Sequence, residues 1–254
     1  QITKQQLDLL SGNPSQQTVI LLNGWGARVN SFPFNSERVI KEFARRGFYV
    51  ISPEHPGLMR SETPKEAWSF REYAEYLDEF IAKLNIQNPI IIGQSFGGAV
   101  ATAYAAEHWD KIKTLVLISS GLSDNRHLHL FSRLKLYGPN FLWLITKPWI
   151  PRLLKKCLVA SALGVPWEQA GKEPWESRAV MGKIFANWSL PDVYAKIGVR
   201  TLLVWGRNDL LFPVSLAKEA AKKLPKGELY TVFGGHSVLY IRPKETVNLI
   251  VSKL

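Results

Sequence analysis

A serine hydroxyl becomes a useful nucleophile only when a base takes its proton and an acid holds that base in place. One serine of this chain lies in a setting suited to such work. The stretch Gly93-Gln94-Ser95-Phe96-Gly97-Gly98 follows the apolar run Ile90-Ile91-Ile92 and leads directly into helix-forming residues. A plain strand-to-helix connection needs one glycine at most, and this one has three. Gly-x-Ser-x-Gly at such a junction predicts a tight, strained turn that lifts the hydroxyl above the sheet edge. Side chains at Gly93 and Gly97 would collide with the neighbouring strand and helix. The helix that follows aims its first amides at the same point, which suits a developing negative charge.

The acid and the base are expected in loops after later strands. Asp209 comes just after Leu202-Leu203-Val204-Trp205-Gly206, and His236 follows Leu229-Tyr230-Thr231-Val232 through Gly234-Gly235. Taken alone, Asp209 reads equally as a turn acid or as a cap for the helix opening near Pro213, and His236 as an ordinary loop histidine. The order Ser95, Asp209, His236, each at a strand end, is what gives them a joint reading as nucleophile, orienting acid and base. Asp124 is the reserve acid. His55, His108, His127 and His129 lack a comparable setting. The same chemistry needs amide donors for an oxyanion. The residue after the nucleophile, Phe96, supplies one. The loop Asn23-Gly24-Trp25-Gly26 supplies the other through the Trp25 amide, its glycines freeing the backbone; a simple turn with Trp25 packed inward is the other reading of that loop.

These residues require a frame of alternating strands and helices. Runs of β-branched and aliphatic residues at 18–22, 49–52, 90–92, 115–118, 202–205 and 229–232 read as strands. Amphipathic stretches at 37–46, 70–84, 97–108, 214–224 and 243–252 read as helices. Strands that are apolar throughout, alternating with helices, predict an α/β protein with a mostly parallel sheet covered on both faces. The alternation breaks between Gly121 and Asp192, where prolines and short helical patterns replace any strand run. Residues 1–120 and 193–254 are therefore expected to form the core, and 121–192 a helical cap inserted over one end of the sheet.

The 254 residues suffice for one substantial core. Cys157 is the single cysteine, so an internal disulfide is impossible. The first residues carry no apolar signal core and no long apolar run appears, which makes a membrane span improbable and a cytoplasmic location the default expectation. No cofactor or metal is called for by these motifs.

The motifs Asn23-Gly24-Trp25-Gly26, Gly93-Gln94-Ser95-Phe96-Gly97-Gly98, Gly206-Arg207-Asn208-Asp209 and Gly234-Gly235-His236 together resemble the α/β-hydrolase family with a helical cap, along essentially the whole chain. The resemblance implies ester hydrolysis through an acyl-enzyme, with Ser95 attacking, His236 moving the proton, Asp209 orienting His236, and the Trp25 and Phe96 amides holding the oxyanion. Asn23 stands where that family usually has a histidine bracing the oxyanion loop. Glu54-His55-Pro56-Gly57-Leu58-Met59-Arg60-Ser61 stands where it has Asp-x-Pro-Gly-His-Gly-x-Ser. The leading strand pair of the family is expected to be shortened. A serine at the elbow argues against the dehalogenase and epoxide-hydrolase relatives, which carry aspartate there. A carboxylesterase is the first reading. Carbon–carbon bond hydrolases and hydroxynitrile lyases use the same triad and form the alternative, and a non-catalytic receptor or scaffold of the same fold is the remote one.

The formal charge is +11. Arg126, Arg133, Lys135, Lys147, Arg152, Lys155 and Lys156 fall in the cap, interleaved with Phe131, Tyr137, Phe141, Trp143 and Trp149 and with no acidic residue from Asn125 to Trp167. Two readings stand: a surface that recruits an anionic carrier protein or membrane, or a solvated basic face. Together with the Gly24-Trp25-Gly26 loop, the basic cap also resembles the pimeloyl-carrier methyl esterases of biotin synthesis. Nucleic acid fits poorly, since the basic residues lie on a lid and not on a recognised binding fold. A small-molecule ester is the expected substrate.

Overall fold

The fold is described from a computed structural model, for residues 10–24, 35–57, 61, 64, 68–121, 151, 153–154 and 193–254. The expectations for Trp25, for Asp124, His127 and His129, and for nearly all of the inserted segment 121–192 with its basic residues lie outside these.

The chain builds strand β1 (Leu10–Ser11), β2 (Gln17–Leu22), helix α1 (Ser36–Ala44), β3 (Phe48–Ile51), α2 (Phe70–Lys83), β4 (Ile90–Gln94), α3 (Phe96–His108) and β5 (Thr114–Ile118). Beyond residue 192 come β6 (Thr201–Gly206), α4 (Val214–Lys223), β7 (Gly227–Val232), the four-residue α5 (Val238–Ile241) and α6 (Pro243–Val251). The strands form one sheet in the order β1-β3-β2-β4-β5-β6-β7. Every pairing from β3 to β7 is parallel, and β1 alone runs antiparallel, on the outer edge of β3. This is the α/β-hydrolase fold. Among the elements that escape the sequence patterns are β1, with only two residues, and α5, with barely one turn.

Why the strands read as unbroken apolar runs is plain from the two cores. Successive side chains of a strand point to opposite faces. Ile91, Leu115, Leu117, Leu203 and Trp205 meet α2, α3 and α4 through Tyr73, Leu77, Val100, Tyr104 and Ala217. Their neighbours Ile90, Ile92, Val116, Leu202 and Val204 meet α1, α5 and α6 through Val39, Phe43, Leu239, Tyr240 and Val247. Both faces of the central strands β4, β5 and β6 are dry, so alternation does not show there.

Helix starts are specified locally. Asn35 Oδ1 accepts from the Glu37 amide at 2.9 Å and opens α1, while Glu72 reaches back to the Ser69 amide and opens α2. The first half of α3 is small-residue chain (Gly97, Gly98, Ala99, Ala101), buried on almost every side. That lets its axis run close over the middle of the sheet, and its N-terminus lands where β4 stops. Among the described residues no helix is long and apolar enough to cross a membrane.

Candidate active site

Ser95 sits between β4 and α3 with φ 50° and ψ −114°, a conformation L-residues seldom adopt. Holding a residue there costs about 1–3 kcal/mol, which its surroundings must offset. They do so with backbone bonds. The Ser95 amide donates to the Ile118 carbonyl at 3.1 Å, and the Ser95 carbonyl accepts from Gly98, Ala99 and Gly121. The flanking glycines are needed for close approach. A Cβ on Gly93 would stand 2.5 Å from the Gly97 carbonyl oxygen, and one on Gly97 would stand 2.1 Å from the carbonyl oxygen of Leu22. Backbone meets backbone at both places, so no side-chain shift relieves the collision.

The three side chains read at strand ends meet in space. His236 Nε2 lies 2.9 Å from Ser95 Oγ, and His236 Nδ1 lies 3.0 Å from Asp209 Oδ2. A carboxylate only accepts, so Nδ1 carries the ring hydrogen, and Nε2 is left to accept from the serine hydroxyl. The Asp209 carboxylate is itself fixed: Oδ1 accepts from the amides of Leu211 at 3.0 Å and Phe212 at 2.8 Å. The Trp205 indole ties the same loop by donating to the Phe212 carbonyl at 2.7 Å. The loops that bear Asp209 and His236 are joined by main chain, with Arg207 N donating to Val232 O and Asn208 N to Gly234 O, both at 2.9 Å. The Phe212 ring packs against His236 at 5.2 Å. Asp209 and His236 are both buried, at 4% exposure each. Their bond is therefore shielded from the water that weakens surface pairs.

Phe96 is the first residue of α3, directly after the serine, and its ring is buried against His55, Phe70 and Tyr73. Trp25 lies outside the described residues; Asn23 and Gly24 just before it are described and heavily braced. Asn23 Nδ2 donates to Ser52 Oγ at 2.8 Å, and Ser52 passes its own hydrogen to the Leu21 carbonyl at 3.1 Å. The Tyr240 hydroxyl donates to Asn23 Oδ1 at 3.1 Å and accepts from the Gly24 amide at 3.2 Å. His55 Nε2 lies 3.1 Å from the Asn23 carbonyl oxygen, to which it donates. Burial pulls the His55 imidazole down to about 4, with the bond to Asn23 opposing the shift. Burial pushes the Tyr240 hydroxyl up, with the Gly24 amide opposing, so it stays protonated and able to donate. Gln94 closes the set: its Nε2 donates to the His236 carbonyl at 3.3 Å, and its Oε1 lies against Gly24.

The sequence marks Asn23 as a departure from pattern but gives no hint of Tyr240, Gln94 or Ser52. His108, at the end of α3, packs on Tyr104 and takes no part. No group of three or more potential metal ligands occurs among the described residues. Chemically, the arrangement can deprotonate a serine hydroxyl and return the proton to a leaving group.

Residues 17–163 match the model of a protein family described as the alpha/beta hydrolase fold. The chain is 25% identical over 261 residues to the AB hydrolase superfamily protein YisY of Bacillus subtilis, covering 97% of this chain and 92% of that protein. It is 24% identical over 259 residues to Lipase 3 of Moraxella sp. (strain TA144), covering 93% of this chain and 76% of the lipase. A crystal structure of a hydrolase from Pseudomonas aeruginosa superposes with a TM-score of 0.75 at 16% identity, covering 96% of this chain and 91% of its own. That last likeness is one of fold.

Proposed function

The chain belongs to the α/β-hydrolase family, and from that premise we propose that it hydrolyses carboxylic esters through an acyl-enzyme formed on Ser95. One observation carries the reading: the unbroken line from Asp209 Oδ2 through His236 to Ser95 Oγ, with contacts of 3.0 and 2.9 Å, ending on a serine in a strained elbow.

In this reading Ser95 Oγ attacks the ester carbonyl carbon as His236 Nε2 takes its proton. The imidazolium that forms is stabilised by the Asp209 carboxylate, which keeps Nδ1 bound and stays ionised. The tetrahedral oxyanion rests on the Phe96 amide at the start of α3 and on the loop that Gly24 leads into. Collapse breaks the bond to the alcohol oxygen, and His236 hands that oxygen the proton. A water molecule then repeats the sequence on the acyl-serine, releasing the acid and restoring Ser95. The esterase/lipase and lipase names of relatives support an ester substrate, while a further relative named as a 2-hydroxy-6-oxononadienedioate hydrolase keeps the alternative in the test.

The test is turnover of short p-nitrophenyl esters by the purified protein and its Ser95→Ala variant, with an alkyl fluorophosphonate as covalent label. Wild-type protein should turn over ester and take one label on Ser95; the variant should do neither. Full ester turnover by folded Ser95→Ala would overturn the mechanism. Cleavage of a vinylogous 1,5-diketone with no ester turnover would move the protein to the carbon–carbon bond hydrolases.

A further inference from the structure

We infer that Tyr240 is a positioning residue for the oxyanion loop, coupling the segment that bears the base to the segment that must hold the developing negative charge. The inference rests on the reading of Ser95 as nucleophile and adds a residue that reading does not contain.

Tyr240 lies in α5, the single turn that starts directly after His236 and Ser237. Its amide donates to the Ser237 carbonyl at 3.0 Å, so its backbone is tied to the residue next to the base. Its ring sits in the core beneath the sheet with Val39, Val238 and Val247, which leaves the hydroxyl a small range of positions. That hydroxyl emerges at the end of β2, where it both donates to and accepts from one short segment. It donates to Asn23 Oδ1 and accepts from the Gly24 amide, the last two described residues before the loop.

A peptide plane is defined by few parameters, and this one is held on all sides. Asn23 is pinned by Ser52 through its side chain, by His55 through its carbonyl and by Tyr240 through its amide oxygen. Gly24 has no side chain to help; the Tyr240 hydroxyl fixes its amide, and Gln94 blocks movement toward the serine. Gln94 in turn holds the His236 carbonyl. Gln94 beside the serine, the His236 backbone and the Asn23–Gly24 peptide are thereby held at one mutual spacing, with Tyr240 the bridge between the last two. Oxyanion donors act only when pre-set at hydrogen-bond distance from where charge will develop. A loop free to shift by about 1 Å forfeits on the order of a hundredfold in rate.

The test compares wild type, Tyr240→Phe and Ser95→Ala on a small p-nitrophenyl ester, well below the melting temperature of each. Tyr240→Phe keeps the ring and the packing. It should lower kcat by about 10- to 100-fold while KM changes less than about twofold, because the loss falls on the transition state. Affinity for an alkyl boronic acid, which forms a tetrahedral anion on the serine, should fall by a similar factor. A purely structural role would lower the melting temperature and leave kcat and boronate affinity alone, and that result overturns the inference. Activity in Ser95→Ala would instead overturn the reading beneath it, so the two failures are distinguishable. Should Tyr240→Phe not fold, Asn23→Ala carries the same readouts with the same expectation. Where both fold, the double variant should lose no more than the worse single, and multiplicative losses would show that the two residues act apart.

Discussion

His55 makes the stability of this fold depend on pH in a way that can be isolated. Its ring is 7% exposed, edge-on to Phe96 at 5.1 Å, with Nε2 donating to the Asn23 carbonyl. The folded protein holds the imidazole near 4, against an ordinary value of 6.5 that the unfolded chain regains. Above pH 6.5 both states are neutral there and the residue contributes no pH dependence. Between 6.5 and about 4 the unfolded chain binds a proton that the folded one refuses, so stability falls as pH falls. Each unit is about 1.4 kcal/mol, giving a loss of about 2 kcal/mol by pH 5 and about 3 kcal/mol by pH 4. Against a total of about 5–15 kcal/mol for a typical domain, that is a large share. The assay is urea unfolding of wild type and His55→Gln at pH 7.5 and pH 5. Glutamine can still donate to Asn23 and does not titrate. Every other ionisable group is common to both proteins, so the difference of differences reports His55 alone. The drop between the two pH values should be smaller in His55→Gln by about 2 kcal/mol. Equal drops would refute the reasoning and mean that the imidazole is hydrated or paired when charged.

Three further outcomes follow from the site. Asp209→Asn should lower kcat by about 10³- to 10⁴-fold with little change in KM, because an amide at that position no longer enforces the Nδ1–H form of His236; steady-state kinetics on a p-nitrophenyl ester measures it. Gly97→Ala should destabilise the protein by more than about 2 kcal/mol and reduce turnover, since the added methyl meets the Leu22 carbonyl at 2.1 Å and must push β2 from α3; wild-type urea midpoint and activity together would contradict the geometry. Trp205→Phe should cost about 1–3 kcal/mol by leaving the Phe212 carbonyl without its indole partner, and should weaken turnover by loosening the Asp209 loop; denaturant titration and kcat read the two effects.

What could be read from the residues beforehand was whatever is written locally. Ile90-Ile91-Ile92 announces a strand buried on both faces, and Gly93 to Gly98 announces the elbow, because each is specified by its own neighbours. That Asp209 and His236 come together was legible for a similar reason: each directly follows a strand run, and strands of a parallel sheet end on the same side. β1 was not legible, because two residues show no periodicity and its pairing is decided by β3. The bracing of the Asn23 peptide was hidden for a deeper reason. Tyr240 looks like one more apolar residue of the core, which its ring is, and nothing in its neighbourhood says that its hydroxyl ends beside β2. Asn23 drew notice only as a departure from a pattern; that Ser52, Tyr240 and His55 hold it emerged from the packing of three separate segments.

The Asn23–Tyr240 bond joins residues 217 positions apart in the chain. On the ribosome, at about 5–20 residues per second, that separation is roughly 10–40 seconds of synthesis. Strands β3 to β5 and helices α1 to α3 are all made in the first half of that interval and can begin to pair with β2. The polar end of β2 waits for its hydroxyl partner until the last stretch of the described chain appears. A nascent chain stalled before residue 236 would hold the Ser95 turn without His236, and one stalled before residue 240 would still lack the hydroxyl that braces Asn23 and Gly24. On the proposed reading, Ser95 would thus stay unarmed while the first half of the fold assembles. On that same reading, arming it waits for the segment from His236 to Tyr240 to be made.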